Sequence, residues 1–130
     1  MQDSLTQFLH RIKSGLPVEF NATQTLINNN YHYTPARFTN GSGVEQWVNE
    51  AGSNEGSCRI FYFARLHGLT EPETLQLFGT YYRHDVLLHP EGQDHPNIRQ
   101  FMKYGWKGIH YQEGTHPCLV LRTHPLTQEA

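Results

Sequence analysis

Residues 54–69, Asn54-Glu55-Gly56-Ser57-Cys58-Arg59-Ile60-Phe61-Tyr62-Phe63-Ala64-Arg65-Leu66-His67-Gly68-Leu69, decide the fold. Ile60, Phe63, Ala64 and His67 fit one helical face, and Cys58, Phe61 and Tyr62 line the adjoining one. A helix apolar over so much of its surface must be covered on several sides, which predicts a central helix. Gly68 follows where a left-handed cap belongs. Downstream, Thr70-Glu71-Pro72-Glu73 is a capping box with Pro in the first turn. The helix it opens carries Leu75, Leu77, Phe78, Tyr81, Tyr82, Val86 and Leu88 and is expected to stop before Pro90. Gly79 inside it costs roughly 1 kcal/mol against Ala, and close packing against another backbone is a reason to keep it. Asp94 or His95 then caps a helix with Pro96 in its first turn and Ile98, Phe101 and Met102 on one face; Gly105 and Gly108 bracket its end.

Upstream, Leu5, Phe8, Leu9 and Ile12 recur at helical spacing, with Asp3 or Ser4 as cap and Gly15 and Pro17 past the end. A short helix is expected from Asn21 through Leu26 and Ile27. Residues 31–53 are rich in turn signals, with a short strand at Val44, Trp47 and Val48. Ile109 to Tyr111 and Leu119 to Leu121, joined by Gln112 to Pro117, read as a hairpin. The expected fold is mainly α (α+β): a compact bundle of about five helices with a small C-terminal antiparallel β-hairpin.

The chain has 130 residues and a net charge of −2. That suits one domain over residues 1–130, with a core of about 5–122 and a polar tail at 123–130. No apolar run approaches the ~18 residues of a membrane span, and no secretory signal opens the chain, so no membrane partner and a cytoplasmic location are expected. Lys and Arg total 10 against 12 Asp and Glu, which leaves no basic footprint for nucleic acid. Cys58 and Cys118 have no zinc-type spacing and read as free thiols of a reducing compartment; neither metal nor cofactor is expected. The nine histidines make the charge sensitive to pH below ~6.5.

Three blocks carry a family resemblance: Thr34-Pro35-Ala36-Arg37-Phe38-Thr39-Asn40-Gly41, the run from Asn49 to Leu69, and the run from Leu77 to Ile109. Together they closely resemble the HopJ-type proteins, named after a candidate type III secretion effector of plant-pathogenic bacteria. The resemblance covers roughly residues 5–122. It implies a single HopJ-like domain but brings no activity, cofactor or catalytic residue with it. Arg59 stands where Lys is expected, and residues 42–47 are irregular. Secretion signals tend to be unstructured and poor in acids, whereas Asp3 and a helix over residues 4–13 stand here. The bacterial cytoplasm is therefore the expected place, with type III delivery into a host cell as the alternative. The partner is left open: a host or bacterial protein, or a small anionic ligand.

Two constellations can carry chemistry. In Asn49-Glu50-Ala51-Gly52-Ser53-Asn54-Glu55-Gly56-Ser57-Cys58-Arg59, a polar loop feeds an apolar helix. Backbone N–H groups and the positive dipole end gather there and favour an anion. Asn49, Glu50, Asn54, Glu55, Ser57 and Arg59 are the candidate binding residues. If Cys58 lies in the first turn, the same field lowers its thiol pKa and makes it a nucleophile, served by His67, His89 or His95. The bland reading has Asn54 or Ser57 capping the helix and Cys58 as a small buried hydrophobe. The second constellation is Asp85 and His89, one helical turn apart, with Asp94 and His95 a short loop away. They can form an acid–base pair or hold a divalent ion; as structural devices they are a helix pair and a cap. A small binding or regulatory domain with a polar pocket near residues 49–59 is the leading expectation. A small enzyme using Cys58 or the Asp/His cluster is the alternative.

Overall fold

The structure, a computed structural model, describes residues 4–126. Ser4 opens α1 (Leu5–Lys13) with a reciprocal cap: its hydroxyl accepts from the Gln7 N–H, and the Gln7 side chain accepts from the Ser4 N–H. The other expected cap, Asp3, and residues 127–130 of the expected polar tail lie outside the described residues. α1 lays Phe8 and Ile12 on the core. α2 (Phe20–Asn30) runs directly into β1 (Tyr31–Tyr33). At that junction the buried Asn30 amide donates to the Leu26 carbonyl at 2.8 Å, which satisfies a helix-end acceptor.

β2 (Arg37–Asn40) is the middle of a three-stranded antiparallel sheet, between β3 (Trp47–Asn49) and β4 (His110–Gln112). β1 pairs separately with β5 (Leu119–Leu121). The fold is thus mixed α+β with small antiparallel sheets, and the expected C-terminal hairpin is corrected. Its two strands form nearly where expected, but they do not pair with each other. β4 joins β2, with Phe38 opposite Tyr111, and β5 joins β1, with Tyr31 opposite Leu121. The reason lies in residues 31–40. Pro35 has no N–H to donate and divides that stretch into two short strands facing different partners. Phe38 then stacks on Tyr111 with ring centroids 5.1 Å apart. The Thr34 N–H donates to the Cys118 carbonyl at 2.8 Å.

α3 (Glu55–Leu66) is central, as its composition demands. It buries Cys58, Ile60, Phe61, Phe63 and Ala64. Phe61 meets the rings of Phe38, Phe78, Phe101 and Trp106, the nearest centroid being 4.9 Å away. Gly68 follows with φ +63°, and Thr70 and Glu73 form the expected capping box of α4 (Glu71–Gln76).

The long helix expected up to Pro90 is a second correction. α4 ends at Gln76, Gly79 turns the chain with φ +63°, and Tyr81–Val86 resume as a π-helical turn. The close approach expected at Gly79 is present: a Cβ there would lie 2.6 Å from the Phe20 nitrogen and 2.9 Å from the Glu19 Cα. Arg83 secures the π turn on the same segment, donating to the Glu19 carboxylate at 2.8 Å and the Val18 carbonyl at 3.1 Å. α5 (Pro96–Tyr104) and a 3₁₀ turn (Gly105–Gly108) lead to β4. Among the described residues no helix is long and apolar enough to cross a membrane.

Candidate functional site

The starts of α3 and α5 meet at a cleft of about 360 Å³. Asn54, Gly56 and Ser57 line it from α3, and His95, Pro96, Asn97 and Ile98 from α5. Phe20, Phe78 and Tyr81, brought together by the Gly79 approach, form an aromatic wall.

A buried amide network fixes the two helix starts to each other. Asn49, fully buried at the end of β3, accepts from the Asn54 amide at 2.7 Å and from the Asn97 amide at 2.8 Å. It donates back to the Asn97 side-chain oxygen at 3.1 Å. Asn40 of β2 donates to the same Asn97 oxygen at 3.0 Å and to the Asn97 carbonyl at 2.9 Å. One strand residue therefore anchors both helix ends, because buried polar groups of this kind must be paired.

Among the described residues, Asn54 (φ +51°) and His95 (φ +50°) are the non-glycine residues with positive φ. Each occupies the cap position of its helix, and neither side chain caps it. This corrects the capping reading for Asn54 and Asp94. The Asn54 amide is spent on Asn49, and the Asp94 carboxylate accepts from Arg99. Left-handed backbone at non-glycine residues stores strain and gathers at functional sites.

His95 stacks on Tyr81 at 4.9 Å, and its Nε2 lies 3.0 Å from the Asp85 carboxylate on the π turn. The other Asp85 oxygen lies 3.1 Å from His84 Nδ1. Hydrogen bonds from His84 and then His95 hold the Asp85 pKa below the usual carboxylate value, and Arg99 does the same for Asp94. Asp85, Asp94 and His95 offer ligand atoms within 4.8 Å of one another. The donor set suits a divalent ion. Binding one would compete with Arg99 for Asp94 and with two imidazoles for Asp85.

The other expected site residues lie elsewhere. Glu50 pairs with Arg37 at 3.4 Å on the surface. Glu55 accepts from the Tyr33 hydroxyl at 3.0 Å, and Arg59 covers the Tyr33 ring at 4.1 Å. His67 bonds to the Tyr31 hydroxyl and packs on Phe63. Burial, then the charge of Lys13, lowers the His67 pKa, and burial pushes Tyr31 up to about 12. His89 is exposed; its ring faces His84 at 6.1 Å, and its carbonyl accepts from Arg99. Cys58 is 1% exposed, with its sulfur 3.6 Å from that of Cys118. No hydrogen bond joins it to His67, His89 or His95 among the described residues. The structure thus gathers Asn49, Asn54, Ser57, Asp85, Asp94 and His95 at or behind the cleft and leaves the other candidates apart.

The sequence places Phe78 and Tyr81 on a helix as core aromatics and gives no site reading for Asn97 or Phe20. Asn97 carried a signal, since Asn is a weak helix former and here stands beside Pro96 in a helix start. Phe20 and Phe78 looked like any core aromatic.

A family model described as HopJ type III effector protein matches residues 5–115. The crystal structure of VPA0580, described as a protein of unknown function, superposes with a TM-score of 0.83 at 45% identity. The match covers 94% of this chain and 97% of that one. No curated protein matches the chain.

Proposed function

The chain belongs to the HopJ family, and from that premise we propose that it is a small binding domain whose ligand occupies the cleft between the starts of α3 and α5. One observation carries the reading: Asn54 and Ser57 come from one distinctive block and His95 and Asn97 from another, and all four line the same cleft. The lining is divided in chemistry. Phe20, Phe78 and Tyr81 offer ring faces, while Asn54, Ser57, His95 and Asn97 offer polar groups. Such a site suits a small ligand with an apolar planar part and a polar or anionic edge, held mostly by apolar contact and oriented by a few hydrogen bonds.

The test is a panel of aromatic carboxylates added to the full chain and read in ¹H–¹⁵N spectra. Shifts confined to residues 54–57, 78–81 and 95–98, and abolished by Ser57→Trp, support the reading. Shifts scattered over the surface, or none with any member, refute it.

A second reading is acid–base chemistry at the same place. The Asp85–His95 contact favours it, since a carboxylate on one ring nitrogen fixes the tautomer and orients the other. If a reaction is found, Asp85→Asn should lower kcat with little change in KM. A Cys58 nucleophile needs access that this conformation denies it; alkylation in the native state much faster than at Cys118 would revive that reading. The place of action stays as proposed from the sequence, the bacterial cytoplasm. A translocation reporter fused to the first fifty residues decides between that and delivery into a host cell.

A further inference from the structure

Cys58 and Cys118 are 60 positions apart in the chain and meet in the interior. Cys58 ends the first turn of α3, where its N–H donates to the Asn54 carbonyl. Cys118 stands just before β5. Their sulfurs are 3.6 Å apart, and both thiols are free. A disulfide needs about 2.05 Å, so closure asks for a shift of about 1.6 Å shared between two side chains. The surroundings make the two thiols unequal. The Cys118 thiol, hydrogen-bonded to Cys58, pulls the Cys58 pKa down to about 7 against the effect of burial. The same contact, with burial, pushes Cys118 up. Cys58, in the first turn of α3 at the N–H end of the helix, is the sulfur better placed to be the thiolate.

Access comes from one side. Residues 113–117, which lead into Cys118, are all exposed and form no helix or strand. The Cys118 N–H is held by the Glu113 carboxylate at 2.8 Å, a contact within that same segment. That exposed, irregular segment is the low-stability side of the pair, and its local opening is the route by which a peroxide would reach the sulfurs.

We infer that Cys58 and Cys118 form a peroxide-reactive dithiol, with Cys58 as the attacking sulfur and Cys118 as the resolving one. The Cys58 thiolate attacks one oxygen of a hydroperoxide and the O–O bond breaks. The sulfur keeps that oxygen as a sulfenic acid, and the second oxygen leaves and is protonated to water or an alcohol. The Cys118 sulfur then attacks the sulfenic sulfur. An S–S bond forms, the S–O bond breaks, and the hydroxyl leaves as water with the Cys118 proton. The thiols give up two electrons in total and the peroxide takes them. The product ties the start of α3 to the start of β5.

The test uses the reduced full chain, treated natively with hydrogen peroxide, blocked with an alkylating agent and weighed intact. The expected product is a monomer lighter by about 2 Da that takes up no alkylating agent, contains a linked Cys58–Cys118 peptide pair and returns to two free thiols with dithiothreitol. In Cys118→Ser, oxidation should stop at a Cys58 sulfenic acid that dimedone traps. Should that variant not fold, the wild-type peptide map alone decides. Native thiols that resist peroxide while the urea-unfolded chain oxidises would overturn the inference. So would a disulfide between two chains, or a sulfinic acid on Cys58 with Cys118 still free.

Discussion

Gly79 and Gly68 offer a matched experiment, because both have φ +63° and only one is crowded. A Cβ on Gly68 meets nothing within 4 Å, so Gly68→Ala isolates the cost of left-handed backbone. That cost is about 1–2 kcal/mol, less a few tenths regained because Ala restricts the unfolded chain. About 1 kcal/mol should be lost. A Cβ on Gly79 meets the Phe20 nitrogen at 2.6 Å, the Glu19 Cα at 2.9 Å and the Glu19 carbonyl carbon at 3.1 Å. All three are backbone atoms, which cannot rotate away as a side chain can. Gly79→Ala therefore carries the same dihedral cost plus overpacking of about 1–3 kcal/mol.

A chain of this length has an unfolding entropy near 0.27 kcal/mol per kelvin, so each kcal/mol lowers Tm by about 4 °C. The expected losses are about 4 °C for Gly68→Ala and about 8–15 °C for Gly79→Ala, read by circular dichroism melts and checked by urea midpoints. The Gly79 variant should also move Phe20, whose ring contacts Phe78 and Tyr81 at the cleft, and so weaken any ligand bound there. Equal losses for the two variants would refute the claim that backbone contact fixes Gly79.

Asn49→Leu should cost about 1–3 kcal/mol in urea unfolding, because it leaves the buried Asn97 amide without its partner and frees that of the exposed Asn54; a loss under 0.5 kcal/mol would mean the network is dispensable. The depressed pKa of His67 gives a pH signature. Below about pH 6.5 the unfolded chain takes up a proton that the folded His67 refuses, so stability falls as pH drops from there and levels off below the folded pKa. His67→Gln should flatten that part of the urea midpoint profile between pH 7.5 and 5.5. The depressed carboxylates Asp85 and Asp94 act in a lower window, their contribution being lost below about pH 4. Phe61→Ala should cost about 3–5 kcal/mol, since the ring is fully buried and meets four other aromatic rings.

What was legible in the sequence was local. The α3 face, the Thr70 box and the Gly68 cap each rest on a few neighbouring residues, and the structure repeats them. Strand partners were not legible. β4 and β5 are three residues each, so their apolar patterns are too short to choose between each other and residues 31–40. The long helix failed for a related reason. Helical periodicity continues in phase from Leu75 to Leu88, and the single φ that breaks it comes from packing against α2, which no local pattern records. Cys58 is the small buried hydrophobe of the bland reading, but the layer covering it, Ala36 and Cys118, comes from far along the chain and was not legible.

The same distinction separates site from scaffold. At the starts of α1 and α4, Ser4 and Thr70 cap the helix with their side chains, as local rules favour. At the starts of α2, α3 and α5 no side chain caps the helix; Glu19 opens α2 from extended backbone, whereas Asn54 and His95 are left-handed and line one cleft. Their side chains bond instead to Asn49, five residues back, and to Asp85, ten residues back. Two left-handed cap residues on one cavity depart from the extended, side-chain-capped start that local rules favour. Left-handed backbone of this kind gathers at functional sites, which supports the ligand cleft proposed above; the dithiol inferred for Cys58 and Cys118 is a separate site.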